Sequence, residues 1–369
     1  MKVAIITITD GANYGNRLQN YALQESIKTM GYSVCTLKQP SYNIKFNYLK
    51  EIIKHLIKRE TNIYQIKRNN RFKKFNKKYI SLGDELKDKC DLTKINYKYD
   101  YFVCGSDQVW NVRYDFIYKN INNYLASFAN PEKRIAYAAS FGTSNVSEKT
   151  KYIFKRELSK FKTIGVREVS AINIIKQNTG RDDAKVVLDP TMLLTRDDWI
   201  KIEKKPRYIE NESFFVTYFL GGRSEKIDKY IKKLEIKYNC KSINLDIEFK
   251  SDSQIENKDY FITSPDEFIW LIHNAKCILT DSFHATVFSI LFHKSFYVFG
   301  RKTKEKNNNM ETRIDTLLSY FGLQNCMGDI ENPNCLPFQL DGEKIDCILE
   351  ERKKTSLDFL QASLDYNVL

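Results

Sequence analysis

Side chains able to bind anions or move protons recur in one kind of place in this sequence: directly after short apolar runs. Asp281-Ser282-Phe283-His284-Ala285 follows the apolar residues 277–279 and leads into a second apolar run, 285–292. Thr280, Asp281 and Ser282 offer N-cap oxygens, so the spacing predicts a strand, a tight turn and a helix with His284 in its first turn. Free backbone N–H groups and the helix dipole make such a turn an anion site. A histidine placed there binds a phosphate or carboxylate, or moves a proton. Taken alone, the turn is served as well by a packed capping histidine.

The other apolar runs end in the same manner. Residues 3–8 lead to Asp10, Asn13, Tyr14, Asn16, Arg17 and Gln19. Residues 100–104 end in Gly105-Ser106-Asp107-Gln108-Val109-Trp110-Asn111, and residues 134–139 in Ser140-Phe141-Gly142-Thr143. Residues 161–166 deliver Arg167-Glu168 into a helix start, and 186–188 deliver Asp189-Pro190-Thr191. Strands of a parallel sheet all end on one edge, so these groups are predicted to share an edge. Structural turns alone do not need Asp, Gln, Trp, Ser and Arg together.

The elements that carry them read as two α/β halves. Residues 3–8, a helix closed by Gly31 and a strand at 33–37 form a β-loop-α-β opening of Rossmann type. Its loop lacks GxGxxG, so nothing there argues for a dinucleotide. The charged stretch 201–211 containing Pro206 serves as a linker. A second half follows, with strands at 214–219, 242–245, 277–279 and 295–299 and a helix at 226–238. The expected organisation is a first domain over 1–204, a second over 205–342 and a closing helical segment over 343–369.

Length, charge and cysteines bound the function class. At 369 residues two domains are expected. Net charge is +13, and residues 41–80 hold twelve Lys or Arg against two Glu, which concentrates the excess there. That stretch reads as a basic helical insertion with the apolar stripe Ile52, Ile53, Leu56 and Ile57. Such a segment packs on its own domain as a solvated insertion, or lies on an anionic membrane surface. No nucleic-acid-binding motif accompanies the charge, so a nucleic-acid partner is not expected. The eight cysteines show no CxxC and no metal spacing and read as reduced thiols. With no signal-like start and no run of membrane-spanning length, a cytoplasmic protein is expected, with possible peripheral contact at the inner face of the membrane.

Together, Asn13-Tyr14-Gly15-Asn16-x-x-Gln19, Gly105-Ser106-Asp107-Gln108-x-Trp110-Asn111, Val166-Arg167-Glu168, Leu188-Asp189-Pro190-Thr191 and Asp281-Ser282-Phe283-His284-Ala285 resemble the polysaccharide pyruvyl transferases over nearly the whole chain. The resemblance implies two Rossmann-like domains facing a cleft, similar to GT-B glycosyltransferases, with a C-terminal helix. It implies transfer of a pyruvyl group from phosphoenolpyruvate to two hydroxyls of a sugar, forming a cyclic ketal. The acceptor would be a cell-surface polysaccharide precursor, often lipid-linked, and phosphoenolpyruvate is a co-substrate, with no metal or other cofactor implied.

A donor carrying a carboxylate and a phosphate needs several cationic or N–H donors in one place. The resemblance sets Arg167 and His284 against the donor. Arg301, with Lys304 as rival, and Arg313 are further basic candidates, and Ser282 adds a hydrogen bond. His284 is the expected acid, while Asp107, Asp10 or Asp281 would take protons from the acceptor. Asp10, Asn13, Tyr14, Asn16, Gln19, Ser106, Gln108 and Trp110 are the expected acceptor-facing group. Many members carry an arginine at the position of Ser282. Here Arg301 or Arg313 supplies that charge, or the donor differs. The alternatives are a GT-B-like glycosyltransferase using a nucleotide sugar, and a non-catalytic protein that binds glycan or membrane surface.

Overall fold

The computed structural model describes residues 1–9, 11–40, 63–87, 92–210, 212–245, 257–300, 311–328 and 339–365. Asp10, Arg301, Lys304 and the Ile52–Ile57 stripe lie outside the described residues. Two parallel sheets organise the chain. The first holds β1 (Lys2–Ile6), β2 (Ser33–Lys38), β3 (Leu82–Glu85), β4 (Tyr101–Cys104), β5 (Arg134–Ala139), β6 (Thr163–Val166) and β7 (Lys185–Val186), in the order β3-β2-β1-β4-β5-β6-β7. The second holds β8 (Phe214–Tyr218), β9 (Lys241–Asn244), β10 (Cys277–Thr280), β11 (Ser295–Phe299) and β12 (Met327–Gly328), in the order β12-β11-β10-β8-β9.

The central strands are continuous apolar runs because both sheet faces are covered. β4 (YFVC) and β8 (FFVTY) are buried at every residue. Each sheet reverses its winding once, between β1 and β4 and between β8 and β10. Loops diverge at such points and leave a crevice beyond the strands' carboxyl ends. The chemistry-bearing sequences fall at these ends.

The helices that matter to the site are α1 (Tyr14–Thr29), α2 (Ile63–Tyr79), α3 (Val169–Thr179), α4 (Glu225–Tyr238), α5 (Pro265–Asn274), α6 (Phe283–Leu291), α7 (Glu311–Phe321) and α8 (Gly342–Leu364). Ser224 caps α4, a surface helix whose inner face buries Ile227, Tyr230, Ile231 and Leu234. By contrast, α6 is buried at all nine residues. A helix apolar all round belongs in a core, and α6 lies between the halves. One hydrophobic core is continuous across them. Tyr14 stacks on Phe268 of α5 at 4.5 Å between centroids, and Trp199 meets Phe288 of α6 at 4.9 Å. Each such ring, fully buried, contributes roughly 1.5–3 kcal/mol.

Two elements tie the halves further. α8 begins beside His293, whose Nε2 lies 2.8 Å from the accepting Asp346 Oδ1, and ends on the first sheet. There Leu188 N donates to Ser356 Oγ at 3.0 Å and Lys162 Nζ to Ser363 O at 3.0 Å. α2 corrects the expected solvated insertion. It belongs to the crossover between β2 and the edge strand β3, which pairs with β2. Phe72 and Phe75 enter the common core. Arg68 is fully enclosed, donating to Phe261 O with its guanidinium over the rings of Tyr14, Phe72 and Phe261. Arg71 pairs with Glu267 of α5.

Candidate active site

Asp107 follows β4 and is held by the neighbouring strand: Ser140 N donates to Asp107 O at 3.0 Å. Its backbone has φ 74, the left-handed region that Asp tolerates better than most residues. The carboxylate is thereby aimed across the crevice. Oδ2 accepts from Asn16 Nδ2 of α1 at 2.7 Å, and Oδ1 accepts from Gln108 N at 2.8 Å and Arg167 Nη2 at 3.1 Å. The other arm of Arg167, Nη1, donates to Asp189 Oδ2 at 3.1 Å. Asp189 is fixed in turn by Ser106 Oγ at 2.9 Å and by Thr191 N and Oγ1 at 3.0 and 2.7 Å. One guanidinium fork therefore spans two carboxylates from adjacent strand ends.

The second half supplies the opposite wall. Ser282 caps α6, its side chain accepting from Ala285 N, and places His284 in the first turn as expected. The imidazole Nε2 lies 3.8 Å from Asp189 Oδ2, beyond hydrogen-bond distance, and is buried without a hydrogen-bond partner among the described residues. The ring packs flat on α1: a Cβ built on Gly15 would stand 2.0 Å from His284 Nδ1. Gly15 costs helix propensity, roughly 1 kcal/mol against alanine, and this close approach is what requires it. Arg167 lies over the Phe283 ring at 4.4 Å and Arg313 at 6.0 Å, so Phe283 carries both cations. Its face attracts them through the ring quadrupole.

Burial lowers the pKa of His284; Asp189 and Asp107 oppose that, and Arg167 and Arg313 add to it. The net effect disfavours the protonated imidazole in the ligand-free site. Burial alone would raise Asp107, but the interactions with Arg167 first, then with His284, Arg313 and the Gln108 N–H, outweigh it and hold the carboxyl below its ordinary range. Asp189 behaves alike, with burial opposed by His284 and Arg167. Glu168 goes the other way: burial raises it despite Arg167 and Arg313. Its Oε1 accepts from Ser140 Oγ at 2.8 Å and Phe141 N at 3.2 Å, while Oε2 has no partner among the described residues.

His284, Asp107, Arg167, Asn16 and Arg313 thus meet. Others do different work. Tyr14 is enclosed in the inter-half core, its hydroxyl donating to Thr263 O at 3.2 Å, and does not face an acceptor. Trp110 is fully buried with its indole N–H on Tyr124 O, because a strand-end indole also suits a core. Gln19 and Ser106 are fully buried. Gln19 Nε2 donates to Thr7 Oγ1 and its Oε1 accepts from Ser106 N, which stitches β1 to β4 from below the site. Asn13 caps α1 through Asn16 N, and Gln108 Oε1 accepts from Asn111 Nδ2 within its own turn. Asp281 accepts from Leu220 N at 2.6 Å and Gly221 N at 2.7 Å, bridging β8 and β10, so its carboxylate is engaged in the turn. Sequence reasoning missed Asp189, Phe283 and Gly15 as site residues. Only the interior glycine of a good helix signalled a close approach. Among the described residues no group of three His, Cys, Asp or Glu is placed to hold a metal.

The family model described as polysaccharide pyruvyl transferase matches residues 13–303 of the chain. None of the curated proteins compared matches it. Among solved structures, UGT89C1 of Arabidopsis thaliana complexed with UDP-L-rhamnose superposes with a TM-score of 0.50 at 9% identity, covering 98% of both chains. The UDP-GlcNAc 2-epimerase of Neisseria meningitidis bound to UDP-GlcNAc gives 0.44 at 11%, covering 96% of this chain and 100% of that one. The UDP-GlcNAc 2-epimerase of Methanocaldococcus jannaschii gives 0.45 at 12%, covering 95% and 99%. At 9% identity the likeness to UGT89C1 is one of fold: two Rossmann-like halves of GT-B type.

Proposed function

Because the chain belongs to the polysaccharide pyruvyl transferase family, we propose that it transfers a pyruvyl group from phosphoenolpyruvate to two hydroxyls of a sugar in a cell-surface polysaccharide precursor. The product is a cyclic ketal. The supporting observation is the meeting of Arg167 with His284 and Arg313 from the opposite half, around two fixed carboxylates. Two arginines and a histidine in a nearly closed site suit a small ligand bearing a carboxylate and a phosphate. Arg313 fills the need left by Ser282 where many relatives carry an arginine.

The reaction then balances on the residues present. A proton adds to the methylene carbon of phosphoenolpyruvate, making it a methyl group and leaving the adjacent carbon cationic. One sugar hydroxyl attacks that carbon and loses its proton. The second hydroxyl attacks the same carbon, loses its proton, and phosphate departs with the C–O electron pair. His284 is the proton carrier of this scheme, since Nε2 is unengaged and a bound dianion raises an imidazole pKa toward neutrality. Of the described carboxylates, Asp107 is the base, with Asn16 orienting it. Donor phosphate lies against Arg167, His284 and Arg313, and the acceptor takes the side of Asp107 that Asn16 holds.

No helix of the described residues is long and apolar enough to cross a membrane. We place the reaction in the cytoplasm, peripheral to the inner face of the membrane. Thermal-shift measurement tests the donor: phosphoenolpyruvate at about a hundredfold its Kd should stabilise the fold by roughly 2.7 kcal/mol. A shift with UDP-sugars and none with phosphoenolpyruvate refutes the reading. His284→Ala should stay folded and release no phosphate, and ketal detection by NMR on the surface glycan identifies the product.

A further inference from the structure

A second cavity of the described residues has a lining that shares no residue with this site. It encloses about 570 Å³ and is lined by Arg71, Lys74, Phe75, Lys78 and Tyr79 of α2, by Lys204 and Arg207 of the linker between the halves, and by Ser264 and Asp266 at the start of α5. Five cations thus face one carboxylate. Arg71 is balanced by Glu267, and Asp266 accepts from Ser264 Oγ at 2.5 Å. Lys74, Lys204 and Arg207 have no ion-pair partner among the described residues. These three come from chain segments about 130 residues apart and converge on one cavity, so they do not form the solvated face of a single helix. Like charges gathered without counter-ions repel, and an anion relieves that repulsion.

We propose that this cavity binds a diphosphate ester. Lys74, Lys204 and Arg207 hold the diphosphate oxygens by charge-assisted hydrogen bonds. The ester's organic part lies on the buried Phe75 and half-buried Tyr79, whose rings form the apolar wall. The volume is within the usual range for a small-molecule site and exceeds what a single phosphate needs. Contacts come from both halves and from the linker. One step along the chain, Thr263 O takes the Tyr14 hydroxyl that locks the halves together. The ligand therefore bridges the same seam as the catalytic residues, from its outer side, and stabilises it. The proposal does not depend on pyruvyl transfer.

Titration calorimetry with inorganic pyrophosphate on the full chain tests it. Wild type should bind, with affinity falling as salt rises. The double variant Lys74→Glu/Arg207→Glu changes two exposed side chains and should keep its unfolding midpoint while binding at least tenfold more weakly. His284→Ala should bind like wild type. Flotation with phosphatidylcholine vesicles, with and without diacylglycerol pyrophosphate, separates the sources. Lysine- and arginine-dependent flotation assigns a lipid headgroup, and pyrophosphate binding without flotation assigns a soluble ester. Equal binding by wild type and the double variant, loss of binding in His284→Ala, or no binding at millimolar pyrophosphate overturns the proposal.

Discussion

The contact between Gly15 and His284 makes a prediction in which two effects of opposite sign compete. Gly15→Ala adds one methyl group in the first turn of α1. In an ordinary helix that change stabilises by roughly 0.8–1.0 kcal/mol, because glycine loses more backbone entropy on folding. Here the methyl would fall 2.0 Å from His284 Nδ1 and 2.4 Å from Cγ, well inside contact distance. The imidazole is hemmed by Phe283, whose ring centroid is 5.3 Å away, and by Asp189, so relief requires moving the ring or parting the halves. Overpacking of this kind costs roughly 1–3 kcal/mol. The expected sum is destabilisation of up to about 2 kcal/mol in place of a gain. A displacement near 1 Å at a reacting group costs on the order of a hundredfold in rate. Urea denaturation reads the first quantity and phosphate release from phosphoenolpyruvate the second. The chain has four histidines, so the imidazole resonances in NMR spectra report movement of His284 independently of turnover. A variant stabilised by about 1 kcal/mol, with His284 resonances unmoved, would refute the reasoning.

The two buried acid–base groups differ in sign. Glu168 has its carboxyl pKa raised by burial above the ordinary 4.5. Its contribution to stability is therefore complete below that value and is lost as pH rises through the folded-state pKa. Glu168→Gln keeps an acceptor for Ser140 and Phe141, so its stability relative to wild type should grow with pH above about 4.5, checked by denaturation at several pH values. His284 has its pKa lowered from 6.5; its contribution is complete above that value and lost as pH falls below it, and His284→Gln should remove that part of the acid sensitivity. Asp281→Ala should cost about 3 kcal/mol in urea denaturation, since two backbone N–H groups at the β8–β10 crevice lose a charged acceptor. Asp281→Asn, which keeps one acceptor oxygen, should recover part of the loss.

What the sequence by itself determined is the parallel α/β plan and the edge on which its chemistry lies. Buried parallel strands are continuous apolar runs and their polar exits are contiguous in the chain, so β1, β4, β5, β6 and β10 and the residues after them could be read directly. The His284 turn was legible for the same reason, because cap, first turn and apolar helix are local. Edge strands β3 and β12 were not legible: LGDE and MG are short, half-exposed and carry no apolar run. Only the tertiary structure decided which polar or aromatic side chains face the crevice. Trp110, Tyr14 and Gln19 have the residue types of a binding site, yet their surroundings are a core and a seam whose composition comes from distant segments. It also decided that Arg167 spans Asp107 and Asp189, that Phe283 carries Arg167 and Arg313, and that α2 crosses to the second half. Those facts depend on distances between residues far apart in the chain, which no local period records.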